Sequence, residues 1–249
     1  MDTQEAEKKL RSYLLYGIQT ELTLAQESRG LAFIIGKHST VINDTDFGSL
    51  FARLQEIFSE RETLCVAKIF DRPNKRNPLR SISSILNLIE ENADLWSLPE
   101  RSCLEKILTD NGYDSCEKIT NRELALNIVS FYRSDMPSID KKETCKLSAS
   151  LDAVFQSRDK VHAHSEAIPI EERTLPTWAD TQTLIEYANN FTKTISLGFL
   201  EISDIVMLTH ETLPNQFEIL LGIANLVNDD FQSEKLGLIK EMRRRLKIN

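Results

Sequence analysis

Within residues 155–166, FQSRDKVHAHSE, the segment 158–164 carries five ionisable side chains: Arg158, Asp159, Lys160, His162 and His164. Histidine, with an ordinary pKa near about 6.5, can take up and release a proton around neutrality. Arginine presents a planar fork of donors that matches the oxygens of a phosphate. Together they suit chemistry at a phosphate ester, one group gathering negative charge while the other moves the proton. The plainer alternative is a solvated helix end, where cationic side chains complement the negative end of the helix dipole. Arg158 weighs against that alternative. It falls on the same predicted face as Leu151 and Val154, and a guanidinium turned inward is costly unless it is paired.

Other familiar sites are absent from the sequence. There is no Gly-rich phosphate loop, no H-E-x-x-H and no G-x-S-x-G. The four cysteines, Cys65, Cys103, Cys116 and Cys145, are widely spaced and form no C-x-x-C pair, so reduced thiols are expected rather than structural zinc. Neither a metal nor a cofactor is implied.

The elements that must position these residues read as helices almost throughout. The chain has 249 residues, of which 41% are hydrophobic and 27% charged, ordinary values for a globular protein with a sizeable core. Glycines number 8 and prolines 7, which leaves long uninterrupted segments of helical periodicity. Asp2 with Glu5 opens a first helix, with Leu10, Tyr13, Leu14, Gly17 and Ile18 on one face. A second starts near Asp46, and Phe47, Leu50, Phe51, Leu54, Ile57, Phe58 and Cys65 share its apolar face. It stops in the loop IFDRPNKRNP. Between these two, Leu31–Val41 is the one place where an extended segment could lie.

The third helix carries Ile82, Ile85, Leu86 and Ile89. Two shorter ones are expected near Pro99–Asp110, with Asn111-Gly112 as the stop, and near Asn121–Arg133. The sixth should begin at DMPSID, with Pro137 in its first turn, and run to about His164. Its face is Leu147, Leu151, Val154, Phe155 and Arg158, followed by Val161 or His162. Thr177 and Asp180 form a capping box for a seventh, lined by Leu184, Ala188, Phe191, Ile195, Phe199, Ile202 and Val206. The fold expected is an all-α bundle over residues 1–210, with a C-terminal helical extension over 211–249. No run is long and apolar enough for a membrane span, and the polar N-terminus is unlike a targeting peptide, so a cytoplasmic protein is expected.

The net charge of −8 argues against bulk coating of nucleic acid, though not against a small cationic site. One candidate is the loop Asp71–Arg80, in which Arg72, Lys75, Arg76 and Arg80 could hold RNA phosphates or simply be solvated. The tail segment RRRLK, from Arg243, reads as a helix end complementing its dipole or as a second phosphate patch. Tyr13, Tyr16, Trp96 and Trp178 could stack on bases, but such spacings more often place aromatics in a core.

The segment RDKVHAH resembles the R-x4–6-H signature of the HEPN superfamily, in the RDKxxAH form of its abortive-infection branch. Upstream, LCVAKIFDRPNKRNPLRSISSILNLIEE resembles that branch's helix ending in Phe-Asp, its polar loop and its Ser-rich helix start. The capped helix from Thr177 resembles the family's last core helix, so the likeness spans about residues 45–205. The resemblance implies an up-and-down bundle of four to five helices. It also implies a homodimer that brings two copies of the motif into one cleft.

By the same resemblance the activity is that of a metal-independent endoribonuclease, a toxin or abortive-infection effector in prokaryotic antiphage defence. RNA would be the substrate, and an antitoxin or sensor protein would restrain the enzyme. The alternative is a non-catalytic HEPN-like interaction or adaptor module. Arg158 would stabilise phosphate charge, with Lys160 assisting in RNA binding. Asp159 occupies a commonly polar position suited to orienting Arg158 or a histidine. For the proton-transfer residue, helix geometry and family pattern disagree. In a regular helix His162 lies about 40° from Arg158 and His164 about 120°, which favours His162. The family spacing selects His164, which also follows Ala163, and leaves His162 as an auxiliary.

Overall fold

The Asp2 side chain accepts a hydrogen bond from the Glu5 amide at 2.8 Å and so caps the first helix, α1 (Thr3–Tyr13). The computed structural model describes residues 1–44, 47–73, 79–113, 119–137, 145–159 and 176–202. Every regular element among them is helical: the class is all-α. After α1 the chain widens into a π-helical turn, Leu14–Ile18, and continues as α2 (Gln19–Lys37) and the short α3 (Ser39–Asn43). The segment Leu31–Val41, where an extended stretch was conceivable, is thus largely helical, a run of apolar residues that buries Ile34 and Ile35 from a helix. Next come α4 (Gly48–Phe70), α5 (Ile82–Glu91), a single 3-10 turn at Ala93–Leu95 and α6 (Arg101–Asp110). The remaining described helices are α7 (Asn121–Ser134), α8 (Ser148–Gln156) and α9 (Trp178–Leu200).

Local signals set most of these boundaries. Ser81 caps α5, while Thr120 and Thr177 form complete capping boxes with Glu123 and Asp180. Gly112, at φ 84°, takes the left-handed turn that follows α6, which a residue with a Cβ adopts at a cost. The α9 stripe ends earlier than its periodicity suggested. Glu201 turns left-handed at φ 54°, and the Ile202 amide donates back to the Ser196 carbonyl at 3.1 Å, so Ile202 packs from beyond the helix.

The largest departure concerns the sixth expected helix. Pro137 does not start it. Pro137 follows the end of α7, where a proline terminates a helix because it cannot continue the hydrogen-bond ladder. The Leu147 amide donates to the Asp135 carbonyl at 3.2 Å, and the next described helix, α8, starts at Ser148. The expected end near His164, Val206 on the last stripe, and the boundary at residue 210 all lie outside the described residues.

The chain divides into two compact units. In the larger, containing Met1–Gln26 and the described residues from Glu60 onward, one continuous core is built from α1, the C-terminal half of α4, and α5 to α9. Its centre includes Leu10, Leu14, Ile85, Leu86, Phe191 and Phe199, each at most 2% exposed. Trp96 belongs to it, donating its indole N–H to the Ile89 carbonyl and meeting Phe199 edge to face. Tyr16 and Trp178, by contrast, are exposed. In the smaller unit, whose described part lies within Glu27–Ser59, Ile34, Ile35 and Ile42 are covered by Leu31, Phe51, Leu54 and Phe58. Leu50 and Ile57, expected on the buried face of α4, are exposed, because the stripe that packs is 51, 54 and 58 and they fall beside it.

Candidate functional site

α8 carries Leu151 and Val154 into the core and packs along α9. Beyond Gln156 the winding widens into a π-helical turn over residues 157–159. Such turns often coincide with functional positions. Here the turn presents Arg158 at the edge of the core, with its side chain 25% exposed. The face predicted for it is therefore correct, and its burial is partial.

Three groups hold the guanidinium. Nε donates to Asp159 Oδ1 at 2.6 Å, Nη1 pairs with Asp71 Oδ1, and the guanidinium carbon lies 4.9 Å from the centre of the Phe155 ring. Partial burial pulls the pKa of Arg158 down. The bonds and charges of Asp159 and Asp71 outweigh that and leave it raised above its ordinary value. Its Nη2 has no hydrogen-bond partner among the described residues. The fork is thus oriented by two carboxylates and a ring, with one edge left for an incoming oxygen acceptor.

Asp71 is the first residue past α4, and Arg72 follows it with its Nη2 donating to the Pro137 carbonyl. This places Arg72 on the rim of a cavity of about 450 Å3, between the loop after α4 and helices α5, α7 and α8. The apolar walls are Phe70, Leu86, Met136, Leu151 and Phe155, the last of these also the shelf beneath Arg158. Ser83, Asn87 and Arg133 supply the polar lining. Arg133 bridges α7 to α5, donating to both Glu90 oxygens at 2.8 and 2.7 Å and to Asn87 Oδ1 at 2.8 Å. Those bonds hold the Glu90 carboxyl below the usual carboxylate range.

Of the residues singled out from the sequence, Arg72 lines the cavity, while Arg158, paired with Asp159, adjoins it through the ring of Phe155, one of its walls. Lys160, His162, His164, Lys75 and Arg76 lie outside the described residues. The preference for His162 rests on a regular helix through Arg158, and the turn at 157–159 is widened instead. Arg80 donates to the Tyr16 carbonyl at 3.2 Å, which ties the loop back to the start of the chain. Sequence reasoning did not single out Asp71, although it stands in the Phe-Asp helix ending. It also passed over Ser83 and Asn87, whose spacing on α5 puts both on one face beside Leu86.

Among the described residues no group of His, Cys, Asp and Glu is placed to hold a metal ion. None of their helices is long and apolar enough to cross a membrane. Comparison with known protein families, curated proteins and solved structures finds no match to this chain.

Proposed function

We propose that the chain is a metal-independent endoribonuclease of the HEPN type, acting as a toxin or abortive-infection effector in prokaryotic antiphage defence. The observation that carries this reading is Arg158. It is oriented by Asp71, Asp159 and Phe155, the last a wall of the cavity, just ahead of His162 and His164 in the chain. In the reaction envisaged, a ribose 2′-oxygen attacks its own 3′-phosphorus while a histidine takes the hydroxyl proton. The P–O5′ bond breaks, the departing 5′-oxygen receives a proton from a second acid, and a 2′,3′-cyclic phosphate remains. Two copies of the motif in a homodimer would supply base and acid together. Arg158 meets the charge that grows on the non-bridging oxygens, and Arg72 at the rim, with Lys75, Arg76 and Lys160, attracts the flanking phosphates.

A second reading is a non-catalytic helical adaptor. The pairing of Arg158 with two carboxylates favours it, because that arrangement also works as a staple between α4 and α8.

Growth after induction of the wild-type gene, beside His164→Ala, Arg158→Ala and Arg158→Lys at equal soluble expression, separates the two. Total RNA is examined in the same cells. Arrest and RNA fragmentation with wild type alone support the ribonuclease. Identical behaviour of all four in the absence of a restraining partner removes it and leaves the adaptor.

A further inference from the structure

We infer that the cavity beside Arg158 is a guanine pocket, which sets where the RNA is cut; this rests on the ribonuclease reading and extends it to base selection. A guanidinium can only donate, so the Asn87 atom facing Arg133 at 2.8 Å must be the amide oxygen. Arg133 is itself locked by its two bonds to Glu90. The Asn87 amide is therefore fixed with its oxygen toward Arg133 and its NH2 group free of any described partner. Ser83 stands one helical turn earlier on the same face, and its hydroxyl likewise has no hydrogen-bond partner among the described residues. Arg72, on the rim, makes its only hydrogen bond among the described residues to the Pro137 carbonyl.

The polar lining thus offers donors, set between the apolar walls formed by Phe70, Met136 and Phe155. An asparagine recognises adenine by using both amide atoms, the oxygen accepting from N6 and the nitrogen donating to N7. Arg133 takes one lone pair of that oxygen and sets its guanidinium beside the position where the adenine amino group would come. Guanine instead presents two adjacent acceptors, O6 and N7, which match the free Asn87 NH2 group together with Arg72 or a donating Ser83 hydroxyl. The cavity, about 450 Å3, is large enough for a purine and within the usual range for ligand sites. A base seated there has Arg72 of the lining to meet its phosphate, with Arg158 next to the Phe155 wall.

The test is equilibrium binding of 5′-GMP, AMP, UMP and CMP to the full chain by calorimetry, for wild type, Asn87→Asp and Ser83→Ala. Circular dichroism and the melting temperature show that each variant is folded. In parallel, the ends of RNA fragments produced by the wild type are mapped. GMP should bind at least about tenfold tighter than AMP. Asn87→Asp, which replaces the free NH2 by a carboxylate oxygen, should abolish that preference. Fragments should carry guanosine at one fixed position relative to the cut. Equal affinity for all four nucleotides, or none at millimolar concentration, overturns the pocket even if RNA is cleaved. Selective GMP binding by a wild type that never cuts RNA leaves the pocket standing and overturns the ribonuclease reading instead.

Discussion

The Arg158 guanidinium and the Asp71 carboxylate lie 87 positions apart in the chain, yet form an ion pair with only 25% and 26% of their side chains exposed. Each partner is partly desolvated, so removing one strands the other away from full hydration. Asp71→Asn and Arg158→Met should each lower stability by about 1–2 kcal/mol, more than an exposed pair would cost. The double variant should cost less than the sum. A double-mutant cycle from urea denaturation reads this coupling, and strict additivity would show that the pair does not hold the ends of α4 and α8 together.

Gly17 permits a close approach of backbone to backbone. A Cβ at this position would come 2.7 Å from the Arg80 carbonyl oxygen, and would also meet the Arg80 Cβ. The Arg80 backbone is fixed at the start of α5 and cannot yield as a side-chain tip would. Gly17→Ala should therefore destabilise by about 1–3 kcal/mol, despite the better helix propensity of alanine. A midpoint in urea equal to or above that of wild type would contradict this contact.

Acid sensitivity follows from the capping boxes. Hydrogen bonds from Thr177, through its side chain and then its backbone, hold the Asp180 carboxyl below the ordinary range. A depressed carboxyl contributes stability that is complete above its unfolded pKa, about 3.9, and is lost as pH falls through the folded value. The stability gap between wild type and Asp180→Asn should stay constant from about pH 7 to about pH 5 and narrow below about pH 4. Asp135 has the opposite sign. Burial raises its pKa, so its contribution is present at low pH and declines as pH rises through the folded value. Asp135→Asn should accordingly gain on wild type between acid and neutral pH. Denaturation curves at a series of pH values check both signs.

Cys65 is 3% exposed, and burial, followed by the hydrogen bond and charge of Glu21, pushes its thiol up to about 12. The thiolate is the reactive form, so Cys65 should resist alkylation near about pH 8, while the partly exposed Cys103 and Cys145 react first. Peptide mapping after brief alkylation, native and unfolded, reads this directly. Cys65 labelled at the same rate in both states would contradict the burial.

Signals confined to a few neighbouring residues were legible in advance. Asp2 and Thr177 each accept from the amide three positions on, and both helix starts follow from that local chemistry. The apolar stripe of α5 was equally plain, because a period of 3.6 residues is written directly into the residue order. Pro137 shows where local reading fails. A proline suits both the first turn of a helix and the position just past the end of one. Only the observed end of α7 at Ser134, with Pro137 outside the helix, decides between the two.

By itself, then, the sequence determined that this is a helical protein, where most helices begin, and that Arg158 continues the core-facing stripe of Leu151 and Val154. The tertiary structure alone decided what Arg158 meets there. Asp71 reaches it across 87 positions, and Arg133 reaches Glu90 and Asn87 across 43 and 46. Contacts between distant segments leave no period or fixed spacing in the chain, because they depend on how whole helices pack. The orientation of a single amide, on which the choice between guanine and adenine turns, exists only once α5 and α7 lie side by side.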